Sequence, residues 1–471
     1  MIFDIDQRKG TAFVHTSGQQ MSYKELTKFI IDVKKRNLER SVAIILSDNN
    51  IESITMFLAL VETNVIPLMV GATIHPDLLQ TYIETYFPHY IYVPKNKKDL
   101  FKDTKVILEN GEYVFLETIN KAYPLNNKLA FLLSTSGTTG SPKLVRHSKK
   151  NLIESANNMA KALRLTNEER ALASLPLYFT QGLNVILSNL CVGATIFLSS
   201  LSLMDQRFWK FLKDWEITSI SGVPFSYEVM IRLGLLKMEL PNLKIINQGG
   251  GRLSDQMFGE IASYCKSRGK FFIPTYGSTE TTSRMCFLTP ELSEKKIGSI
   301  GSPVPNGRIE LIGANRELIK EAYTTGELIY YGPNVTLGYA YNKDDLTKGD
   351  ERNSRYATGD IAYFDEDGCY FIVGRKGRFA KIFGYRLGLD EIEKMIKDAF
   401  SISVACIERD QQISIYMDNK EGKIDSRDII KYLSKKTGLV GTVFKVTALD
   451  EIPRNNYGKI LYSELERLEK A

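Results

Sequence analysis

The run FLLSTSGTTGSPKLVRHS, residues 131–148, opens as an apolar strand, breaks into Ser, Thr, Gly and Pro, and then reaches Lys143, Arg146 and His147. A glycine-rich turn after a buried strand exposes backbone N–H groups that can wrap phosphate oxygens. Gly137 and Gly140 supply the turn, while Ser134, Thr135, Ser136, Thr138, Thr139 and Ser141 add hydroxyl donors and Lys143 adds charge at the exit. The chemistry this suggests is the holding of a phosphate chain. The loop is not a Walker A sequence, because Ser141 and Pro142 separate Gly140 from Lys143 where that pattern needs Gly-Lys-Ser/Thr. Taken alone, it reads more readily as a surface connection built of turn formers.

Four further segments decide between these readings. NQGGGRLS, 247–254, sets Gly249, Gly250 and Gly251 after an apolar run, where something flat must approach the backbone. YGSTETT, 276–282, follows FFIP and puts Tyr276, Gly277, Thr279 and Glu280 at a strand end, where open α/β sheets bind ligands. YATGDIAYFDEDGCYFIVGR, 356–375, joins Asp360 to a hairpin ending in Arg375, and PRNNYGKI, 453–460, presents Lys459 on a turn.

The elements that must position these residues alternate along the chain. Strand-like runs at 42–46, 91–93, 131–135, 195–198 and 245–247 interleave with helical patterns at 50–63, 149–163, 205–214 and 254–267. Such alternation predicts a largely parallel sheet covered by helices. After about residue 300 the texture changes to short β-runs with Gly and Pro turns. GRKGR, 374–378, free of apolar residues, reads as a hinge. Beyond it the spacing predicts helices near 390–400 and 425–437 and strands near 402–407, 412–417 and 443–448, a small α/β domain. From Leu183 to Met204 no residue is charged, yet polar residues dilute the stretch and Gly193 divides it, so it reads as a buried helix and then a buried strand rather than a membrane span.

Together and in this order the motifs resemble those of the ANL superfamily of acyl-adenylate-forming enzymes, over about residues 20–465. STSGTTGSPK is similar to the family's phosphate loop, YGSTE to its adenine and magnesium motif, YATGD to its ribose motif and PRNNYGK to its C-terminal lysine motif. The resemblance implies a large N-terminal domain, 1–373, of stacked α/β sheets plus a β-rich subdomain, carrying ATP and the acid. A hinge, 374–378, would lead to a small mobile C-terminal α/β domain, 379–471, that rotates between two half-reactions. The first joins a carboxylate to the α-phosphate of ATP and releases pyrophosphate; the second passes the acyl group to a thiol.

By the same resemblance, Lys459 bridges the acyl carboxylate and the α-phosphate, and Thr138 and Thr139, with Ser134, Ser136, Gly137 and Gly140 around them, hold the β- and γ-phosphates. Lys143 closes that loop. Glu280 is the magnesium ligand, Thr279 reaches the α-phosphate, Tyr276 and Gly277 flank the adenine, and Gly249 to Gly251 line nucleotide and acyl group. Asp360 takes the ribose hydroxyls with Arg375 in support. FAKIFGYRLGLDEIE, 379–393, resembles the family segment that swings in for the thiol step, with Lys381 and Gly384 near a phosphopantetheine thiol. The acceptor is coenzyme A or the phosphopantetheine of an acyl carrier protein, and the sequence does not choose between them. Two positions depart from the family: Phe179 in PLYFTQG stands where a gating histidine is usual, and Gly377 stands where the hinge usually has Asp.

The resemblance also implies that members adenylating α-amino acids pair the ammonium with an Asp near the Phe179 segment; here residues 174–204 contain no carboxylate, and an unpaired buried ammonium costs several kcal/mol. The expected substrate is therefore an acid without an α-amine, aliphatic or aryl. The competing readings are adenylation of an amino acid or acyl transfer to an amine, and a non-catalytic acyl-nucleotide sensor. Composition sets wider bounds. The chain has 471 residues, 43% hydrophobic, 25% charged and 10% aromatic, which is globular in character. Its formal charge of +6, from 61 basic and 55 acidic residues, is mild and demands no nucleic acid. Five scattered cysteines with no CxxC pair suit a reducing cytoplasm, four dispersed histidines argue against a histidine-rich metal centre, and the N-terminus MIFDIDQRKG has no secretory signal pattern.

Overall fold

The computed structural model describes residues 1–134, 143–382, 385–409, 412–418, 424–437, 439–455, 458 and 460–468. Among these, the larger part of the chain is built on two big sheets with helices between and around them. The nine-stranded sheet runs parallel through its middle, in the spatial order Phe271–Tyr276, Ile245–Gln248, Ser219–Gly222, Arg170–Ala173, Thr195–Leu198 and Thr11–His15. The eight-stranded sheet has a parallel middle of Leu129–Ser134, Ile66–Gly71, Val42–Ser47 and Tyr90–Pro94. The expected alternation is therefore present, with antiparallel strands added at the edges of both sheets.

Apolar periodicity explains which element fills the space between sheets. Ile51–Glu62 is apolar on nearly every face and is buried from Ile51 through Val61 in the largest core cluster. A helix apolar all round belongs in an interior. Its start is fixed by Asn50, whose side chain accepts from Ser53 N, a cap worth about 1 kcal/mol. The uncharged stretch from Leu183 resolves as read. Helix Thr180–Val192 ends on Gly193 in the left-handed conformation, and Thr195–Leu198 follows as an interior strand. No helix among the described residues is long and apolar enough to cross a membrane.

A five-stranded antiparallel sheet, including Gly326–Tyr331, Arg355–Phe364 and Tyr370–Arg375, makes up the β-rich region. The chain then turns through Lys376 and Gly377, the latter at φ +100° with open space where a side chain would sit. A hairpin, Phe379–Ile382 with Tyr385–Gly388, leads into helix Leu389–Phe400, strands Val404–Arg409, Gln412–Asp418 and Phe444–Leu449, and helix Ser426–Thr437. These carry their own apolar cluster around Ile392, Ile415 and Leu433. Ion pairs tie helix Leu389–Phe400 back to the larger part: Lys394 to Asp255 at 2.8 Å and Lys397 to Glu228 at 3.8 Å.

Candidate active site

Two neighbouring parallel strands, Ile245–Gln248 and Phe271–Tyr276, end side by side, with Gln248 opposite Pro274. Gly249 to Gly251 leave the first and Tyr276 to Glu280 the second, so the two motifs meet at the carboxyl ends of the sheet. The turn after Tyr276 is tight. A side chain on Gly277 would meet the Ser283 carbonyl oxygen at 1.7 Å, so only glycine lets the chain fold back there. The fold-back is held by Asn334, whose Nδ2 donates to Thr281 O and Arg284 O, both at 2.8 Å.

Asp360 and Arg375 are register partners in the antiparallel ladder of Arg355–Phe364 and Tyr370–Arg375. Arg375 Nε donates to Asp360 Oδ1 at 2.7 Å, and Tyr276 Oη donates to Asp360 Oδ2. Burial, and then the Asp360 charge, push the Tyr276 phenol well above its ordinary range, so it stays a donor. The same carboxylate raises Arg375. Each carboxylate oxygen has a second lone pair, so Asp360 retains acceptor capacity with both partners in place.

A second cluster forms around Glu280. Strand Leu144–Ser148 pairs with Leu129–Ser134 on one side and Gly338–Ala340 on the other. This ladder carries Tyr339 to the exit of the phosphate-type loop, where Lys143 Nζ sits 3.7 Å from its ring centroid. Tyr339 Oη donates to Glu280 Oε1 at 2.7 Å, and the Arg352 guanidinium lies 4.4 Å from the same ring and donates to Thr336 Oγ1 and Glu280 O. Tyr356 stands between the clusters; burial pushes its phenol up to about 12, with the charges of Glu280 and Asp360 adding to the rise. Among the described residues no group of three His, Cys, Asp or Glu could enclose a metal ion. Glu280 is thus a lone carboxylate, which fits a magnesium ion taking its remaining oxygens from phosphate and water.

The sequence-predicted residues therefore divide. Tyr276, Gly277, Thr279, Glu280, Gly249, Gly250, Gly251, Asp360, Arg375, Lys143 and Ser134 fall in the described structure, with Ser134 at the end of its strand opposite Leu144. Ser136, Gly137, Thr138, Thr139, Gly140, Gly384 and Lys459 lie outside the described residues, as does the side chain of Lys381, whose backbone pairs with Arg386 in the hairpin. Gly458, just before Lys459, packs against helix Pro224–Arg232: a side chain there would meet Phe225 Cβ at 3.0 Å. Gly251 packs on Pro224 of the same helix, so both glycines line one rim. Phe179 occupies the N-cap position of helix Thr180–Val192, its ring tilted against that of Tyr178 with centroids 4.7 Å apart.

Four residues near these clusters escaped the sequence reading: Tyr339, Arg352, Tyr356 and Arg284. Tyr356 opens the YATGD motif and was within reach; the other three are brought in by tertiary pairing. His147 also acquires a definite place. It is fully buried, stacks on Phe131 at 4.3 Å, and its Nδ1 is 3.1 Å from Thr282 Oγ1. Burial, then Arg352, pull its imidazole down to about 3, so it is neutral in the fold.

Comparison with known proteins gives this geometry a family. Residues 6–340 match the model of the AMP-binding enzymes, and the chain belongs to that family. It is 30% identical over 346 residues to a 2-succinylbenzoate–CoA ligase of Bacillus cereus, covering 72% of this chain and 69% of that protein. It is 29% identical over 398 residues to a delta-poly-L-ornithine synthetase of Acinetobacter baumannii, covering 80% of this chain but 28% of the relative. Among solved structures, O-succinylbenzoate coenzyme A synthetase (MenE) of Bacillus subtilis with ATP and magnesium shares the fold at TM-score 0.79 and 23% identity, over 97% of each chain. ATP-bound MatB of Rhodopseudomonas palustris does so at TM-score 0.81 and 20% identity, over 100% of this chain and 99% of that one.

Proposed function

We propose that the protein is an AMP-forming acid–thiol ligase: it condenses a carboxylate with ATP to acyl-AMP and pyrophosphate, then transfers the acyl group to a thiol, releasing AMP. The observation that carries this reading is the joining of Asp360, Arg375 and Tyr276 beside Glu280, Tyr339 and Lys143 at the carboxyl ends of the parallel strands. In this reading Asp360 accepts from the ribose hydroxyls through its spare lone pairs, and Tyr276 borders the base. Lys143 and the 134–143 turn hold the phosphate chain that departs as pyrophosphate. Glu280 holds magnesium, which supplies countercharge to the phosphates when bound. Lys459 supplies fixed positive charge where the two anions, carboxylate and α-phosphate, are brought together.

The thiol we favour is coenzyme A, because several relatives at 27–30% identity are named as 2-succinylbenzoate–CoA ligases. Residues 1–373 then act as the platform and 379–471 as a lid turning at 374–378, with the hairpin bearing Lys381 and Gly384 entering for the thiol step. A carrier-protein phosphopantetheine is the alternative acceptor, and the cytoplasm, which the five free thiols suit, is the proposed compartment. The test is carboxylate-dependent exchange of labelled pyrophosphate into ATP over a broad acid panel, followed by thioester detection with coenzyme A and with a loaded carrier. Exchange without thioester on either acceptor would redirect the second step to an amine. No exchange with any acid would leave only a nucleotide sensor.

A further inference from the structure

Beneath the glycine tract lies a small internal cavity whose lining sets apolar side chains, Met159, Leu163, Leu165, Val185 and Ile245, beside amides, hydroxyls and one cation. Helix Thr180–Val192 presents Gln181, Asn184, Ser188 and Asn189 to it, strand Ile245–Gln248 contributes Asn247, and Arg284 enters from the fold-back after Glu280. No acidic residue lines it. Arg284 is 5% exposed and, among the described residues, its guanidinium has no ion pair and no hydrogen-bond partner for Nε. Burial pulls its pKa down only to about 10, so the group remains cationic at neutral pH. The Asn189 Oδ1 is likewise buried without a partner.

A buried charge without a counterion is costly, and proteins normally pair it. Every other buried arginine or charged cluster described above is paired or bound to carbonyl oxygens, as Arg146 is to Tyr339 O, Gly349 O and Glu351. A trapped water could satisfy the amide atoms but brings no negative charge. The position of the guanidinium is equally informative. A side chain on Gly249 would come 2.7 Å from Arg284 Nη2, so the cation lies directly under the backbone of the glycine tract and is reached from it only because that residue has no side chain.

We propose that Arg284 is a specificity-determining residue, which selects acids carrying a second carboxylate besides the one that is activated. This rests on the acid-activating reading above. The second carboxylate supplies the missing counterion, with the amides of Asn184, Asn189 and Gln181 able to reorient around it; a monocarboxylic acid leaves the guanidinium unanswered. Discrimination by an unpaired buried polar group is large, on the order of 10²-fold or more.

The experiment uses the full-length protein in pyrophosphate exchange with matched pairs of acids, linear (butanoate and succinate, hexanoate and adipate) and aryl (benzoate and phthalate, 4-phenylbutanoate and its ring-carboxylated analogue). The wild type is expected to favour the dicarboxylic member of at least one pair by about 10²-fold in kcat/KM. Arg284→Met should bring that ratio to within about tenfold of unity, chiefly through KM of the dicarboxylate, and Arg284→Lys should restore part of it. Arg284→Gln, similar in length and polar, guards against a folding defect in the methionine variant. Robust exchange with monocarboxylic acids, and a ratio that Arg284→Met and Arg284→Gln leave unmoved, overturns the role of the arginine while the activity stands. Exchange with no acid at all overturns both.

Discussion

The rim that carries Asp360 and Glu280 and the cavity that carries Arg284, four residues after Glu280 in sequence, are opposite in electrostatic design. On the rim each charge is already answered: Asp360 by Arg375 and Tyr276, Glu280 by Tyr339, and Lys143 and Arg352 by the face of the Tyr339 ring. In the cavity Arg284 is answered by nothing described. Charged groups that must hold one fixed nucleotide geometry are best preorganised by their own neighbours. A charge left open marks where the ligand, and not the protein, completes the pairing.

The comparison can be broken at several points. The largest effect expected is from Lys459→Ala, which removes the cation proposed to bring the two anions together: exchange activity should fall by about 10²- to 10³-fold, roughly 3 to 4 kcal/mol. Retention of full exchange would take that role away. Asp360→Asn strips the rim of its central charge and should raise KM for ATP about 10- to 100-fold with a smaller change in kcat, read by varying ATP at saturating acid. Arg284→Met acts in the reverse sense on the ligand-free protein. Deleting an unanswered buried cation should stabilise it by about 1–3 kcal/mol, seen as a higher midpoint in denaturant, whereas Arg375→Met on the rim should not stabilise.

His147 sharpens the same contrast through pH. Its folded pKa is about 3, well below the 6.5 of an exposed imidazole, because burial refuses the charged form. Between those values the unfolded chain takes up a proton that the fold declines, so this group makes stability fall as pH drops below about 6.5, at about 1.4 kcal/mol per pH unit. His147→Phe should flatten the difference between pH 6.5 and 4.5 in denaturation curves; parallel curves for the two proteins would assign the acid sensitivity elsewhere. The smallest effect should come from Lys394→Ala. Its pair with Asp255 is over a third exposed on both sides, so less than about 0.5 kcal/mol is at stake and the shift in midpoint should be barely measurable.

The parts of this molecule legible in its sequence are those written contiguously. The phosphate-type loop, GGG, YGSTE and YATGD are short runs whose members stand next to one another in the chain, and Gly193 announced the break between helix Thr180–Val192 and strand Thr195–Leu198 because a left-handed cap needs glycine. Helices Leu389–Phe400 and Ser426–Thr437 in the C-terminal hundred residues were legible in their apolar patterns, whereas the short helix Tyr462–Leu468 was not foreseen. Tyr339 and Arg352 were not legible, because the ladder between Gly338–Ala340 and Leu144–Ser148 joins positions some two hundred residues apart. Arg284 looked like an ordinary charged residue after a motif. Only the fold-back at Gly277 turns it inward, and the collision that makes glycine obligatory there is with a residue whose position the motif does not state.

Gly377 gives the joint between the two parts of the chain an unusual chemical property. Its torsion, φ +100°, belongs to the mirror-image half of conformational space, and the volume around it is empty. Handedness alone, with no crowding, therefore governs what the position accepts. An L-alanine would resist this conformer by torsion and push the chain toward others, whereas a D-alanine installed by semisynthesis would sit in it at ease and bias the joint toward the arrangement seen. The pair would be a stereochemical dial on the orientation of the C-terminal lobe, free of any change in contacts.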